Sequence, residues 1–181
     1  MPTRMTAKND SKTPRRLWVV RPGRKGSPKR CQIAEDAFFE EGIAGLDDRY
    51  GIGDVRRKGR TTDDIVKSVA EANVDLHITA VRTVVSNVVR LQKNVTIGDI
   101  VVSPSRLNRR YCIGVVESEY QFSKKTHFPH SRKVKWIGWI DKDDVSIDAQ
   151  RELGAARLFF ECRRNSEEML RHVEGLVKFE A

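Results

Sequence analysis

The chain has 181 residues, 39% hydrophobic and 33% charged, with 34 Lys/Arg against 25 Asp/Glu and a formal net charge of +9. That length suits one domain able to bury its own core, and no apolar run approaches the roughly 20 residues of a bilayer-spanning helix. Three widely spaced cysteines (Cys31, Cys112, Cys162) argue against a disulfide scaffold or a clustered zinc site and fit reduced thiols in a cytoplasm.

Residues 1–15 are polar and basic, lack a hydrophobic period or a secretory apolar stretch, and predict a disordered arm ahead of one domain over 16–181. The run Arg16 to Arg21 predicts a short strand stopped by Pro22-Gly23, and residues 22–30 a basic Gly/Pro loop. Ile33 to Glu41 predicts a short helix broken at Gly42, and Ile43-Ala44-Gly45-Leu46 a second strand. Residues 47–60 predict an exposed loop. Thr61 or Thr62 then caps a helix with Asp63 and Asp64 in its first turn, where carboxylates suit the positive helix end. Ile78, Val81, Val85 and Val88 mark one buried face of a longer helix over 77–92.

From Gly98 the pattern turns to strands. Ile100-Val101-Val102 ends at Ser103-Pro104, and Arg110 to Tyr120 alternates. Arg132 to Ile140 alternates too, with Val134, Trp136, Gly138 and Ile140 facing one way and Lys133, Lys135, Ile137 and Trp139 the other. The 121–131 connection joins these two strands into a hairpin. Asp141 to Asp144 reads as a turn and helix start, and Ala155 to Cys162 as a last strand. Asn165 with Glu168 predicts a capping box on a terminal helix whose Met169, Leu170, Val173 and Val177 face the core. Short strands with glycines at bends and helices between them give an α+β fold, with the sheet curved into a partly closed barrel flanked by helices.

The charge is concentrated. Residues 1–30 hold ten Lys/Arg against Asp10 alone, and residues 106–135 hold eight against Glu117 and Glu119. Two basic segments in an otherwise mildly acidic chain point to a polyanionic partner and make Arg24, Lys25, Arg109, Arg110, Lys124, Lys125, Arg132 and Lys133 candidate contacts to a nucleic-acid backbone. Catalytic patterns are missing. His127 and His130 have no Cys or acid at zinc-like spacing and read as phosphate neighbours or solvated residues, and Gly51-Ile52-Gly53 lacks the strand–glycine–helix context of a dinucleotide site. Glu117-Ser118-Glu119 lacks the following lysine of a metal-dependent nuclease, and Cys112 reads as a small core residue. The expectation is a binding module with no metal or cofactor.

Aromatic residues interleaved with this basic hairpin, Tyr111 among them, suit stacking on a nucleobase while cations hold the flanking phosphates. The runs Leu17-Trp18-Val19-Val20-Arg21-Pro22-Gly23 and Phe38-Phe39-Glu40-Glu41-Gly42-Ile43-Ala44-Gly45-Leu46 carry a family resemblance, joined by Ile97-Gly98-Asp99-Ile100-Val101-Val102, Tyr111 to Val116 with Tyr120, and His130 to Trp136. Together they resemble the EVE-like modules of the PUA superfamily, found at the N-termini of Mrr-like and McrB-like modification-dependent restriction proteins, over residues 16 to 160. The resemblance implies a PUA-like barrel that flips a modified cytosine or adenine out of double-stranded DNA, as the sensor of a restriction or antiviral defence system whose nuclease or NTPase effector is a separate domain. It places Trp18, Arg21 and the 22–26 loop at the pocket mouth, Gly42 to Leu46 as one wall and Ser103 at the end of a lining strand. Many relatives carry a tryptophan where this chain has Asp47-Asp48, so stacking passes to Tyr50 or Phe39. An RNA-binding PUA or ASCH-type domain is the alternative with the same fold and charge.

Overall fold

The computed structural model describes residues 15–23 and 26–179, with side chains through Leu176. Residues 1–14 of the arm expected over 1–15, the cations Arg24 and Lys25, and the side chain of Val177 lie outside the described residues. Strands are β1 (Leu17–Val20), β2 (Ile43–Leu46), β3 (Ile100–Pro104), β4 (Arg110–Val116), β5 (Gln121–Phe122), β6 (His130–Asp141) and β7 (Phe159–Cys162). Helices are α1 (Pro28–Glu40), α2 (Thr62–Ala72), α3 (Ile78–Lys93), α4 (Ile147–Leu153) and α5 (Ser166–Phe179). The fold is α+β. One curled half-barrel sheet runs β2-β6-β4-β3-β1-β7, with β5 paired beside β6 and the helices on its flanks. β1 pairs parallel with β3 and every other pairing is antiparallel.

Alternation along β1 assigns two cores to the two faces of this sheet. Leu17 and Val19 join Ile100, Ile113, Phe160 and Met169 on the side of α4 and α5. Trp18 and Val20 join Phe38, Val66, Val85 and Val134 on the side of α1, α2 and α3. The helix starts follow from local chemistry. Ser27 caps α1 with Pro28 in its first turn, so that helix begins inside the stretch expected as loop. Thr61 and Asp64 close a capping box on α2. The box expected at Asn165 does not close, because Glu168 instead accepts hydrogen bonds from the backbone N–H and hydroxyl of Ser146. Asn165 is held by Glu152, whose carboxylate also accepts from the backbone N–H groups of Arg163 and Arg164.

The single alternation expected along β6 breaks at a bulge. Ile113 pairs with Gly138 and Gly114 with Trp136, which leaves Ile137 as the extra residue. Val134 and Trp136 therefore face the α1 side, whereas Ile137 and Ile140 enter the opposite core. Two glycines permit this. Gly138 has φ of 144°, and a Cβ on Gly114 would stand 2.3 Å from Val134 Cγ1.

At the other end of β6, His130 is fully buried rather than solvated or beside a phosphate. Its Nε2 donates to Asp48 at 3.1 Å and its Nδ1 accepts from the Tyr120 hydroxyl at 2.7 Å, an arrangement that fits the neutral imidazole. Burial pushes the His130 pKa down, against the opposing pull of Asp48.

Two stability predictions follow from this geometry. Gly114→Ala should cost about 1–3 kcal/mol through the contact with Val134, read as a lower midpoint in urea unfolding. Because His130 takes a proton less readily folded than unfolded, its share of stability is present at neutral pH and is lost as pH falls below about 6.5. Thermal unfolding at pH 7.5 and 5.5 should show the drop, and His130→Gln should make it smaller.

Candidate nucleic-acid interface

α1 and the β3–β4 loop stand between two concavities. The smaller, about 370 Å³, is walled by Phe39 of α1 and by Trp136 and Trp139 of β6, with Cys112 on β4. Phe39 meets Trp136 edge-to-face at 5.1 Å, and the Trp136 indole N–H is spent on the carbonyl of Phe38 at 2.8 Å. The Arg110 guanidinium lies 4.7 Å from the centre of the Trp139 ring, a cation–π contact at the edge of the cavity. Phe39 is 41% exposed and Trp139 53% exposed, so both offer ring surface to a ligand. Burial raises the Cys112 thiol to about 11, which leaves it protonated and unreactive at neutral pH.

Polar groups sit on the same wall. Glu35 accepts from the backbone N–H of Arg106 at 2.7 Å and from the Ser105 hydroxyl at 2.9 Å. Asp36 accepts from the Gln32 amide, and Asn108 adds a further amide. A cavity bordered by two carboxylates repels a phosphate. Both Glu35 oxygens are engaged by the β3–β4 loop and Asp36 by Gln32, so the rings of Phe39 and Trp139 are the surface this cavity offers.

The larger concavity is a cleft of about 1050 Å³ between the start of α1, one side of α3 and the 154–158 segment. Arg21, Arg90, Arg106 and Arg157 line it, with no carboxylate among the lining residues described.

The residues expected at the pocket separate on this map. Trp18 is 1% exposed, stacked on Phe159 with its indole N–H donating to Asp99; it is a core residue and offers no ring face. Tyr111 and Ser103 are buried as well, Tyr111 within the core beside α4 and α5. Tyr50 packs against the other core and touches neither concavity. Gly42 to Leu46 do not form a wall, since β2 is buried against β6. Arg21 lines the cleft but donates to the carbonyls of Leu153, Ala155 and Arg157. Phe39 alone of the set walls the aromatic cavity.

Of the expected backbone contacts, Arg132 belongs to the interior. It is 1% exposed and donates to the carbonyls of Leu91, Gln92 and Ser118, closing the C-terminal end of α3. Arg109, Arg110, Lys124, Lys125 and Lys133 are exposed. Arg109 pairs with Asp143 and Arg110 with Asp141, both at the surface, where such pairs are weak and exchangeable. The sequence reading missed Trp139, Arg90, Arg106 and Arg157. Strict alternation would have set Trp139 with Lys133, Lys135 and Ile137; the bulge at Ile137 turns it instead to the side of Cys112 and Trp136, which the sequence pattern does not show.

Among curated proteins and solved structures, nothing matches the chain. A family described as a domain of unknown function, DUF8426, matches residues 18–156, which takes in every residue around the aromatic cavity and stops just short of Arg157. The chain belongs to the DUF8426 family.

Proposed function

We propose that this chain is a non-catalytic DNA-binding module that reads a modified cytosine or adenine swung out of the duplex, in the manner of the EVE-like PUA sensors it resembles. The observation that supports the reading is the aromatic cavity, with Phe39, Trp136 and Trp139 on its walls and Arg110 at its edge. The division of labour is electrostatic. The base enters the acid-bordered cavity, while phosphates stay outside on Lys124, Lys125, Lys133 and Arg109, which are exposed on β6, on the turn before it and just ahead of β4. A nuclease or NTPase effector would be a separate domain, and this chain would act as its cytoplasmic sensor.

The test compares duplexes carrying 5-methylcytosine, 5-hydroxymethylcytosine or N6-methyladenine with the unmodified duplex and a structured RNA, all at matched salt. At least one modified duplex should bind more tightly than the unmodified one. Trp139→Ala should remove that preference, a loss of about 1–3 kcal/mol, and leave binding to unmodified DNA unchanged. Lys133→Ala should weaken all duplexes alike and reduce the salt slope by about 1. Equal affinity for modified and unmodified duplexes, or tighter binding of the RNA, refutes the reading.

A further inference from the structure

The arginine-lined cleft is chemically unlike the aromatic cavity. Thr83, Asn87 and Arg90 present one polar side of α3 to it, and Arg106 and Leu107 of the β3–β4 loop face them. The start of α1, at Gly26 and Pro28, opens onto the same space with no acidic residue in its first turn. Val84 and Leu158 supply an apolar floor, beside the Arg90 guanidinium, which lies 6.0 Å from the centre of the buried Phe159 ring.

The cations here are poorly matched by the protein itself. Arg106 donates from Nη2 to the carbonyl of Gly23, but its Nη1 is buried and has no hydrogen-bond partner among the described residues. A buried guanidinium nitrogen without an acceptor is costly, and it leaves the charge of Arg106 incompletely answered at the cleft wall. Burial and the neighbouring charge of Arg106 both lower the Arg21 pKa, a repulsion that a bound anion relieves.

We infer that this cleft binds a nucleoside polyphosphate, its phosphate chain on Arg90, Arg106 and Arg157 and its base over the apolar floor. A single phosphate ester brings only about two negative charges, fewer than the three guanidinium groups of Arg90, Arg106 and Arg157, so a chain of two or three phosphates fits better. A cleft of about 1050 Å³ suits a ligand with an organic body rather than a bare phosphate. The inference goes beyond the base-reading proposal and stands without it, because it involves neither Phe39, Trp136 nor Trp139.

Isothermal titration calorimetry of the full chain with ATP, ADP, AMP and adenosine, in magnesium-free buffer, tests it. Affinity should fall in that order, with no detectable binding of adenosine, and ATP should raise the thermal midpoint. Arg157→Glu and Arg90→Gln should each weaken ATP by about ten-fold or more, whereas Trp139→Ala should leave it unchanged. ATP bound well in the presence of saturating unmodified duplex supports a separate nucleotide site. No ATP binding, ATP binding indifferent to both arginine variants, or complete displacement of ATP by the duplex overturns it, the last by making the cleft part of the DNA track. Because the base-reading test is scored on duplex preference and Trp139, either reading can fail while the other survives.

Discussion

At Gly114, β4 and β6 approach so closely that there is no room for a side chain, and this contact sets the shape of everything around it. With Ile137 set aside as an extra residue, β6 turns over midway and delivers hydrophobic side chains to both faces of the sheet. One strand thereby helps to close two cores. The same turnover keeps Trp136 on the α1 side, where its N–H finds the Phe38 carbonyl, and leaves Trp139 outside both cores. A regular strand would have held Trp136 and Ile140 on one face and directed Ile137 and Trp139 together to the other. The aromatic cavity is thus a by-product of how the sheet curls, made from residues the cores leave over.

Arginine performs two kinds of work in this molecule, and only one is visible as surface charge. Arg132 and Arg21 use their planar, multiply donating heads to gather main-chain carbonyls, the first at the end of α3 and the second along the 153–157 segment. In the α3 case the buried carbonyls have exhausted their helical partners, and a guanidinium satisfies several at once. Lysine, with a single nitrogen, could not replace it. Arg90, Arg106 and Arg157 instead converge on an open cleft with no acid among its described lining residues. Counting cations in a basic segment mixes these roles.

The sequence was most legible where local rules act alone. Periodicity marked α3, turn chemistry stopped β1 at Pro22-Gly23, and Thr61 announced the start of α2. It was least legible where a distant partner decides. Glu168 looks like a local cap until Ser146 is brought beside it by the packing of α4 near α5, and Arg132 looks like a phosphate contact until the end of α3 arrives. Trp18 was misplaced for the same reason: its ring can be assigned to the core only once Phe159, far along the chain, is stacked on it. The bulge was hidden because a glycine in a strand says that something approaches closely without saying which strand slips.

α1 carries Cys31, Glu35 and Phe39 at intervals of four, a single ridge along one side of the helix. Cys31 lies on the arginine cleft, Phe39 on the aromatic cavity, and Glu35 between them. The β3–β4 loop crosses this ridge at Glu35, where the carboxylate holds the Ser105 hydroxyl and the Arg106 main chain. Ser105 thus falls on the aromatic side and the Arg106 side chain on the cationic side. A groove that would otherwise run the length of the helix is divided by one loop, and one buried carboxylate fastens that loop. The acid accepts from the Arg106 backbone and lines the aromatic cavity, not the cleft. That is why two chambers with opposite electrostatic character can share a wall only one helix thick.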